Sequence, residues 1–340
     1  MNTVRLGRIA ARAAARLAGS SMAVLAGVAV VASLGLQSAS AQQAWPNKPL
    51  RFMIGFGPGG GTDMVSRLLA QKLAERIGQP VVAELKSGAT GTIAADIVAK
   101  AAPDGHTLIL LTGAHPVTGA MMRRLPYDPV RDFQMVSTIV TYPITLVVRV
   151  DSPFRNIDEL IAAARSARHK VSFSTAGVGS GQHLVGEWIG AIAGVEFLHV
   201  PFRGQPAAMV EMISGRIDMM IDTLTSAYPH IKGGKTRALA VTTRERSPFL
   251  PDVPALSSVV AGVDFASWAG VATTGGTPRP IVDRLNAELR AVLQLPDVLQ
   301  QLATLAGTPS ASTPEAMQQL IVSEIGRWNK VVDDRGLERQ

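Results

Sequence analysis

The sequence predicts an α/β protein of two similar units, each a mostly parallel sheet flanked by helices. Three observations carry this reading. Apolar runs such as "LRFMIGF" (50–56) and "HTLILLT" (106–112) contain no alternating polar face. Strands buried on both sides, as in parallel sheets, read this way. Stretches of helical spacing separate the runs, and the β-α-β-α-β rhythm occurs twice along the chain. There is no Cys in the 340 residues, so the fold rests on an apolar core rather than on disulfides. That length suits two domains of about 100–150 residues.

In the first unit, "LRFMIGF" leads into a helix from Thr62-Asp63, with Met64, Leu68, Leu69 and Leu73 on one face and Gly78 as its stop. "PVVAEL" (80–85) is the next strand, "KSGATG" a loop, Thr92 to about Ala101 a helix and "HTLILLT" the third strand. The second unit begins with "YPITLVVRV" (142–150), then a helix N-capped by Asn156. "VSFST" (171–175), a helix from about Gln182, "VEFLHV" (195–200), a helix through Met209–Ile213 and "IDMMID" (217–222) follow. "RALAVTT" (237–243) and "ASWAGVATT" (266–274) are further strands. The end is helical over Pro278–Leu293, Pro296–Leu305 and Pro314–Val332. Each of the three carries Pro in its first turn, where a missing N–H costs nothing. Thr313 caps the last helix. Residues 42–141 and 263–340 are expected to form one lobe and residues 142–262 the other.

The N-terminus carries Arg5, Arg8, Arg12 and Arg16, an uncharged run from Leu17 to Leu36, and the small-x-small site Ala39-Ser40-Ala41. These features describe a secretory signal peptide, residues 1–41, cleaved after Ala41; a retained membrane anchor is the alternative reading. The four leader arginines account for more than half of the formal charge of +7. What remains gives no argument for nucleic acid, and no basic run interleaved with aromatics occurs. It suits an anionic ligand.

The stretch "GFGPGGGTD" satisfies the dinucleotide fingerprint as Gly55-x-Gly57-x-x-Gly60, with Glu84 where a ribose-binding acid would stand. Pro58 removes a donor from the turn, Phe56 continues the apolar run past the first Gly, and an exported protein meets little free nicotinamide cofactor. A second reading fits better. Glycines let a backbone approach a ligand, and the first turn of the following helix offers unpaired N–H groups and partial positive charge. Such a place holds a carboxylate or phosphate without a cationic side chain. "TAGVGSGQH" repeats the form in the second unit, and ligands in such sheets sit beyond the carboxyl ends of strands, where Thr112 also lies.

Other candidates each have an ordinary reading. Asp63 in the first helical turn orders the loop or holds a ligand amine. His183 beside Ser180 suggests a hydrolase pair, yet no G-x-S-x-G elbow exists. Arg203 and Lys86 meet an anion or form rim salt bridges. Asp222, ending a strand, receives a ligand donor or caps the next helix. The six His lack His-x-His or H-E-x-x-H spacing, so no metal site is argued. Met209, Met212, Met219 and Met220 read as core, and Trp268 as a packed aromatic near a hinge.

Several motifs, in order, resemble one known family. They include "WPNKPLRFMIGFGPGGGTDMVSRLLAQKLAERIGQPVVAE", "AAPDGHTLIL", "LPYDPVRDF", "GSGQHLVGE", "HVPFRG", "AYPHIKGGKTRALAVTT", "RSPFLPDVP" and "SWAGVATTGGTPRPIVDRLN". Together they closely resemble the substrate-binding proteins of tripartite tricarboxylate transporters, the Bug-type receptors, from Trp45 to near Val332. The resemblance implies a two-lobed type II periplasmic binding protein. Such a protein is a non-catalytic monomer without cofactor or metal that holds a small organic acid and delivers it to membrane permease subunits. A membrane sensor kinase is the alternative partner. The resemblance places the ligand carboxylate on Phe56, Gly57, Pro58, Gly59, Gly60, Thr62 and Asp63 on one side. On the other it places it on Thr175, Ala176, Gly177, Gly179, Ser180 and His183. The chain departs from the family at Gly57, at Thr175-Ala176 where Ser-Ser is common, at Glu84-Leu85-Lys86-Ser87-Gly88, and at Thr118-Gly119. These loops rim the pocket, so the distal half of the ligand is expected to differ.

Overall fold

A computed structural model describes residues 45–59, 61–166, 170–175, 177–202 and 205–340. The expected signal peptide lies outside the described residues, as do Gly60, Ala176 and Arg203. The elements below all belong to the unit Lys48–Gln340.

The first half opens with β1 (Leu50–Ile54), α1 (Gly61–Ile77), β2 (Val81–Leu85), α2 (Thr92–Ala99) and β3 (Thr107–Thr112). The three strands pair in parallel in the order β2-β1-β3. A short helix α3 (Ala114–Met121) follows, then β4 (Phe133–Arg149), a strand of 17 residues. The second half holds α4 (Ile157–Arg165), β5 (Ser172–Thr175), α5 (Gly181–Ala193), β6 (Leu198–Pro201), α6 (Gln205–Ile213), β7 (Met219–Thr223), α7 (Leu224–Lys232) and β8 (Thr236–Val241). There β6-β5-β7 are parallel. The chain returns to the first half as β9 (Ala266–Thr274), α8 (Arg279–Val292), α9 (Pro296–Thr304), β10 (Thr308–Pro309) and α10 (Pro314–Asp334).

β4 joins the halves. Phe133–Pro143 pairs antiparallel with β9, whereas Ile144–Arg149 pairs antiparallel with β7 and β8. Each half is therefore a parallel trio extended by antiparallel neighbours, so the sheets are mixed. At the change of partner, buried Thr242 stitches the crossing segments. Its Oγ1 accepts the Ile144 N–H at 3.1 Å and donates to the Phe265 carbonyl at 2.7 Å. α10 is a further bridge. Met317 and Ile321 pack with Met53, Ile109 and Trp268 of the first half, and Trp328, Val331 and Val332 pack with Leu146, Phe173 and Leu184 of the second.

Local chemistry explains the boundaries. The Asn156 side chain accepts the Glu159 N–H, and Thr313 accepts that of Ala316, so both helices start at an N-cap. α3, α7 and the first part of β4 are not anticipated by the pattern. α3 carries Pro116 and Gly119, α7 carries Pro229, and residues 133–141 interleave polar and apolar side chains. The strand expected at 195–200 is displaced to Leu198–Pro201.

Packing within the second half is tight where α5 crosses its sheet. A Cβ on Gly186 would lie 2.7 Å from Phe173 Cζ and 2.9 Å from Ile221 Cδ1. Both neighbours are fully buried. Gly186→Ala is therefore expected to destabilise the fold by about 1–3 kcal/mol through overpacking. The check is a urea midpoint shift at unchanged slope.

Candidate ligand-binding site

A cavity of about 690 Å³ opens between the halves. It lies beyond the carboxyl ends of the parallel strands, where open α/β sheets bind ligands. From the first half it is lined by Phe56, Gly59, Gly61, Thr62, Val65, Thr90, Thr112 and Ala114. From the second come Ser180, Gly181, Gln182, Gln205, Thr223, Thr225 and Ser226. Tyr142, Ile144, Phe265 and Ser267 border it at the crossing strands, and Trp328 borders it from α10. The volume is in the range of small-molecule sites, and the mix of apolar walls with a few polar groups is typical of them.

Among the described residues the lining includes no Lys, Arg, Asp or Glu. Its positive potential comes from backbone. The first turns of α1 (Gly61, Thr62) and α5 (Gly181, Gln182) face the cavity, and the opening N–H groups of a helix have no intrahelical acceptor. The arrangement suits a carboxylate. The Tyr142 phenol is pushed up to about 12 by burial, opposed by its hydrogen bond with Ser267, so it stays neutral.

The glycine loops are themselves held shut. Asp63, 6% exposed, accepts the Gly59 N–H at 2.9 Å and Arg67 Nε at 2.8 Å. Thr175 Oγ1 accepts the Gly177 N–H at 3.2 Å and bonds His199 Nε2 at 2.7 Å. His183 Nδ1 accepts the Gly179 N–H at 3.3 Å, and its ring stacks on His199 with centroids 3.9 Å apart. Burial lowers the pKa of His183 against the pull of Glu187; burial and then His183 lower that of His199 to about 3. Both rings are neutral at neutral pH. Ser180 caps α5: its Oγ accepts the backbone N–H of His183 at 3.2 Å. The His183 ring nitrogen thus points at Gly179 while the Ser180 hydroxyl serves the backbone, and no nucleophile–base pair is formed.

Of the expected site residues, Phe56, Gly59, Thr62, Thr112 and Ser180 line the cavity. Gly57 and Pro58 are exposed beside it, and Lys86 is exposed with its N–H on the Ile54 carbonyl. Asp63, Thr175, Gly177, Gly179 and His183 shape the loops behind the lining. Glu84, the acid a dinucleotide site would need, is held bidentately by Arg51 at 2.7 and 2.9 Å. Asp222 is fully buried, one layer behind the lining. Its Oδ1 accepts Gln205 Nε2 at 2.5 Å and the Thr223 N–H at 2.7 Å. Ser226 and Gln182 face the same carboxyl more loosely, and Oδ2 lacks a full hydrogen bond. Burial pushes this carboxyl up to about 7, while Ser226, the Thr223 N–H, Gln182 and Gln205 pull it back down.

The pattern did not identify Gly61, Gln182, Gln205, Thr225, Ser226, Tyr142 or Ser267 as lining. Gly61 and Gln182 stand one step beyond the glycine loops, in the helical first turns, where a reading of helix starts would find them. Thr225 and Ser226 belong to α7, a helix its Pro229 hides.

Two α/β halves joined by crossing strands, with a cavity between them faced by helix N-termini, define a solute-binding protein of the periplasmic type. The chain belongs to the family described as "Tripartite tricarboxylate transporter family receptor", which it matches over residues 65–337. It is 40% identical over 311 residues to the UPF0065 protein of the tcbD–tcbE intergenic region of Pseudomonas sp. (strain P51), covering 91% of this chain and 93% of that protein. The periplasmic binding protein BugD shares the fold with a TM-score of 0.76 at 32% identity, over 87% of this chain and 100% of BugD. Rpa4515 of R. palustris, solved with adipate, gives 0.78 at 35% identity, over 86% and 98% of the two chains. MatC of Rhodopseudomonas palustris, solved with bound malate, gives 0.75 at 33% identity, over 85% and 100%.

Proposed function

We propose that this chain is a non-catalytic periplasmic receptor that captures a small carboxylated organic anion between two lobes and delivers it to the permease subunits of a tripartite tricarboxylate transporter. It reaches the periplasm on the N-terminal signal, cleaved near Ala41, and acts as a monomer. Residues 142–262 form one lobe and the rest of the mature chain the other. The single observation that carries the reading is the cavity whose lining, among the described residues, combines the first turns of two helices with no Lys, Arg, Asp or Glu. Family membership and the adipate and malate of related structures agree with it. Hydrogen bonds to a charged group contribute about 1.5–3 kcal/mol each, so a few suffice for micromolar binding. Ligand selects the closed arrangement because only there do both lobes touch it.

The test is a thermal-shift panel on refolded, solute-free protein, with mass spectrometry of whatever the native protein releases. A cognate acid at 100-fold over its Kd stabilises by about 2.7 kcal/mol, a melting shift of about 5 °C for a chain of this size. The corresponding amides are expected to give none. A protein that responds to no organic acid would sink the proposal.

A further inference from the structure

We propose that the cavity is built for an acid that also carries a hydrogen-bond donor, a hydroxyl or amino group, and that Gln205, oriented by Asp222, recognises it. The inference rests on the receptor reading above and deepens it to a ligand class.

The argument is one of donor direction. Asp222 Oδ1 receives two donors, the Gln205 amide at 2.5 Å and the Thr223 N–H at 2.7 Å. An ionised carboxylate only accepts hydrogen bonds, and a neutral one still accepts at its carbonyl oxygen. With Oδ1 already taken by the Thr223 N–H, the proton of the neutral acid belongs on Oδ2 and Oδ1 stays an acceptor. The Gln205 side chain then turns its NH₂ toward Asp222, and its Oε1 faces the other way. Gln205 lines the cavity, and Oε1 has no hydrogen-bond partner among the described residues. Gln182 and Ser226 line the cavity too and lie near the same buried carboxyl without closing a full hydrogen bond to it; while it is ionised it draws their donors its way. They leave an amide oxygen and hydroxyl lone pairs for the cavity. Asp222 thus aligns three side chains from three helices into a wall of acceptors. It also sets its own negative charge against the N-terminus of α7, offsetting that helix end.

The opening N–H groups of α1 and α5 remain for the carboxylate. A second carboxylate on the acceptor wall would meet lone pairs and a partly charged acid behind them. A hydroxyl or ammonium group would complete the hydrogen bonds. Sites built to bond such a group discriminate strongly against the analogue that lacks it, because their own buried polar atoms are then left unpaired.

The experiment compares matched acids by calorimetry on the full mature chain: malate with succinate, 2-hydroxyadipate with adipate, lactate with propionate, mandelate with phenylacetate. For the best-bound pair, the hydroxylated member is expected to bind at least about tenfold more tightly. Gln205→Leu should bring the ratio within about threefold by weakening the hydroxylated member, with the apo melting temperature as the folding control. Asp222→Ala should collapse the ratio as well. Asp222→Asn, which keeps an acceptor for Gln205 and Thr223, should preserve it; a merely structural Asp222 would not separate these two variants. Equal binding within every pair, or a tenfold ratio that survives Gln205→Leu, overturns the inference while carboxylate binding stands. Silence from both members of every pair overturns the receptor reading with it.

Discussion

Gly61→Ala is expected to weaken ligand binding about 10- to 100-fold and to leave the unliganded protein folded. Gly61 opens α1 on one wall of the cavity. A Cβ there would lie 2.9 Å from Cγ2 of Thr225, in the first turn of α7 on the other wall. Threonine is stiff at χ1, and both residues sit on helices, so neither wall yields easily. Gly61 does not hold a left-handed backbone, so alanine adds no strain within its own half. The overlap exists only when the two walls meet. Overpacking of this kind costs about 1–3 kcal/mol; here it falls on the closed arrangement alone, and affinity drops by the corresponding factor. Calorimetry with the tightest acid measures the loss, and the apo melting curve controls for folding. Thr225→Ser removes Cγ2 and keeps the hydroxyl, so Gly61→Ala/Thr225→Ser should recover most of the affinity. Full-strength binding by the single variant, or no recovery in the double one, would show that the walls do not close through this contact.

Much of this architecture was legible because its signals are local. β1 and β3 are short, mostly apolar runs, interrupted in β1 only by Arg51, and their length and flanking turns favour a buried strand. β9 falls on Ala266–Thr274, the span of the apolar run. The caps at Asn156 and Thr313 depend on three residues each. What the pattern hides is tertiary. β4 continues through Pro143 because that residue sits where the strand exchanges β9 for β7 and β8. Proline has no N–H to give a ladder and is tolerated at such a junction. Nothing in the local sequence announces the exchange. The candidate site divides in the same way. The glycine loops mark its neighbourhood through backbone chemistry, which a short motif can encode. Its lining comes largely from the starts of five helices and the crossing strands, with Trp328 from late in α10, and only the fold assembles them. Asp222 was visible as an acid at a strand end. Its depth, which makes it an aligner of other side chains rather than a contact, was not.

Glu324→Gln is expected to remove a stability loss of about 3 kcal/mol that the wild-type protein suffers between about pH 4.5 and 7. Glu324 lies on α10, the helix that packs on both halves, and is 3% exposed. Burial pushes its carboxyl up to about 7 from the ordinary 4.5. The Trp268 indole, the charge of Arg327 and the Trp328 indole pull it back, although neither indole closes to full hydrogen-bond geometry. Below about 4.5 the group is protonated in folded and unfolded chains alike and contributes nothing to pH dependence. As pH rises toward 7 the unfolded chain releases the proton and the folded chain retains it, so unfolding gains ground. Above 7 both are ionised and the full penalty persists. Glutamine cannot ionise, so the variant should lack this segment of the curve. It should retain the parallel decline from Asp222, whose carboxyl is likewise pushed up to about 7. The salt-bridged carboxylates Glu84, Asp104 and Asp297 have pKa values held below their ordinary ones. Their stabilisation is present above those ordinary values and is lost at lower pH. Buried His115 and His199, held down to about 4 and about 3, add stability as pH rises toward 6.5. Both proteins share that gain, so the effect is read in the difference between the two curves. Denaturant unfolding of both proteins at half-unit steps from pH 4.5 to 8 gives the answer. Two curves that stay parallel throughout would mean that Glu324 is solvated in the folded protein, and that the Trp268–Trp328 seam between the halves is open to water.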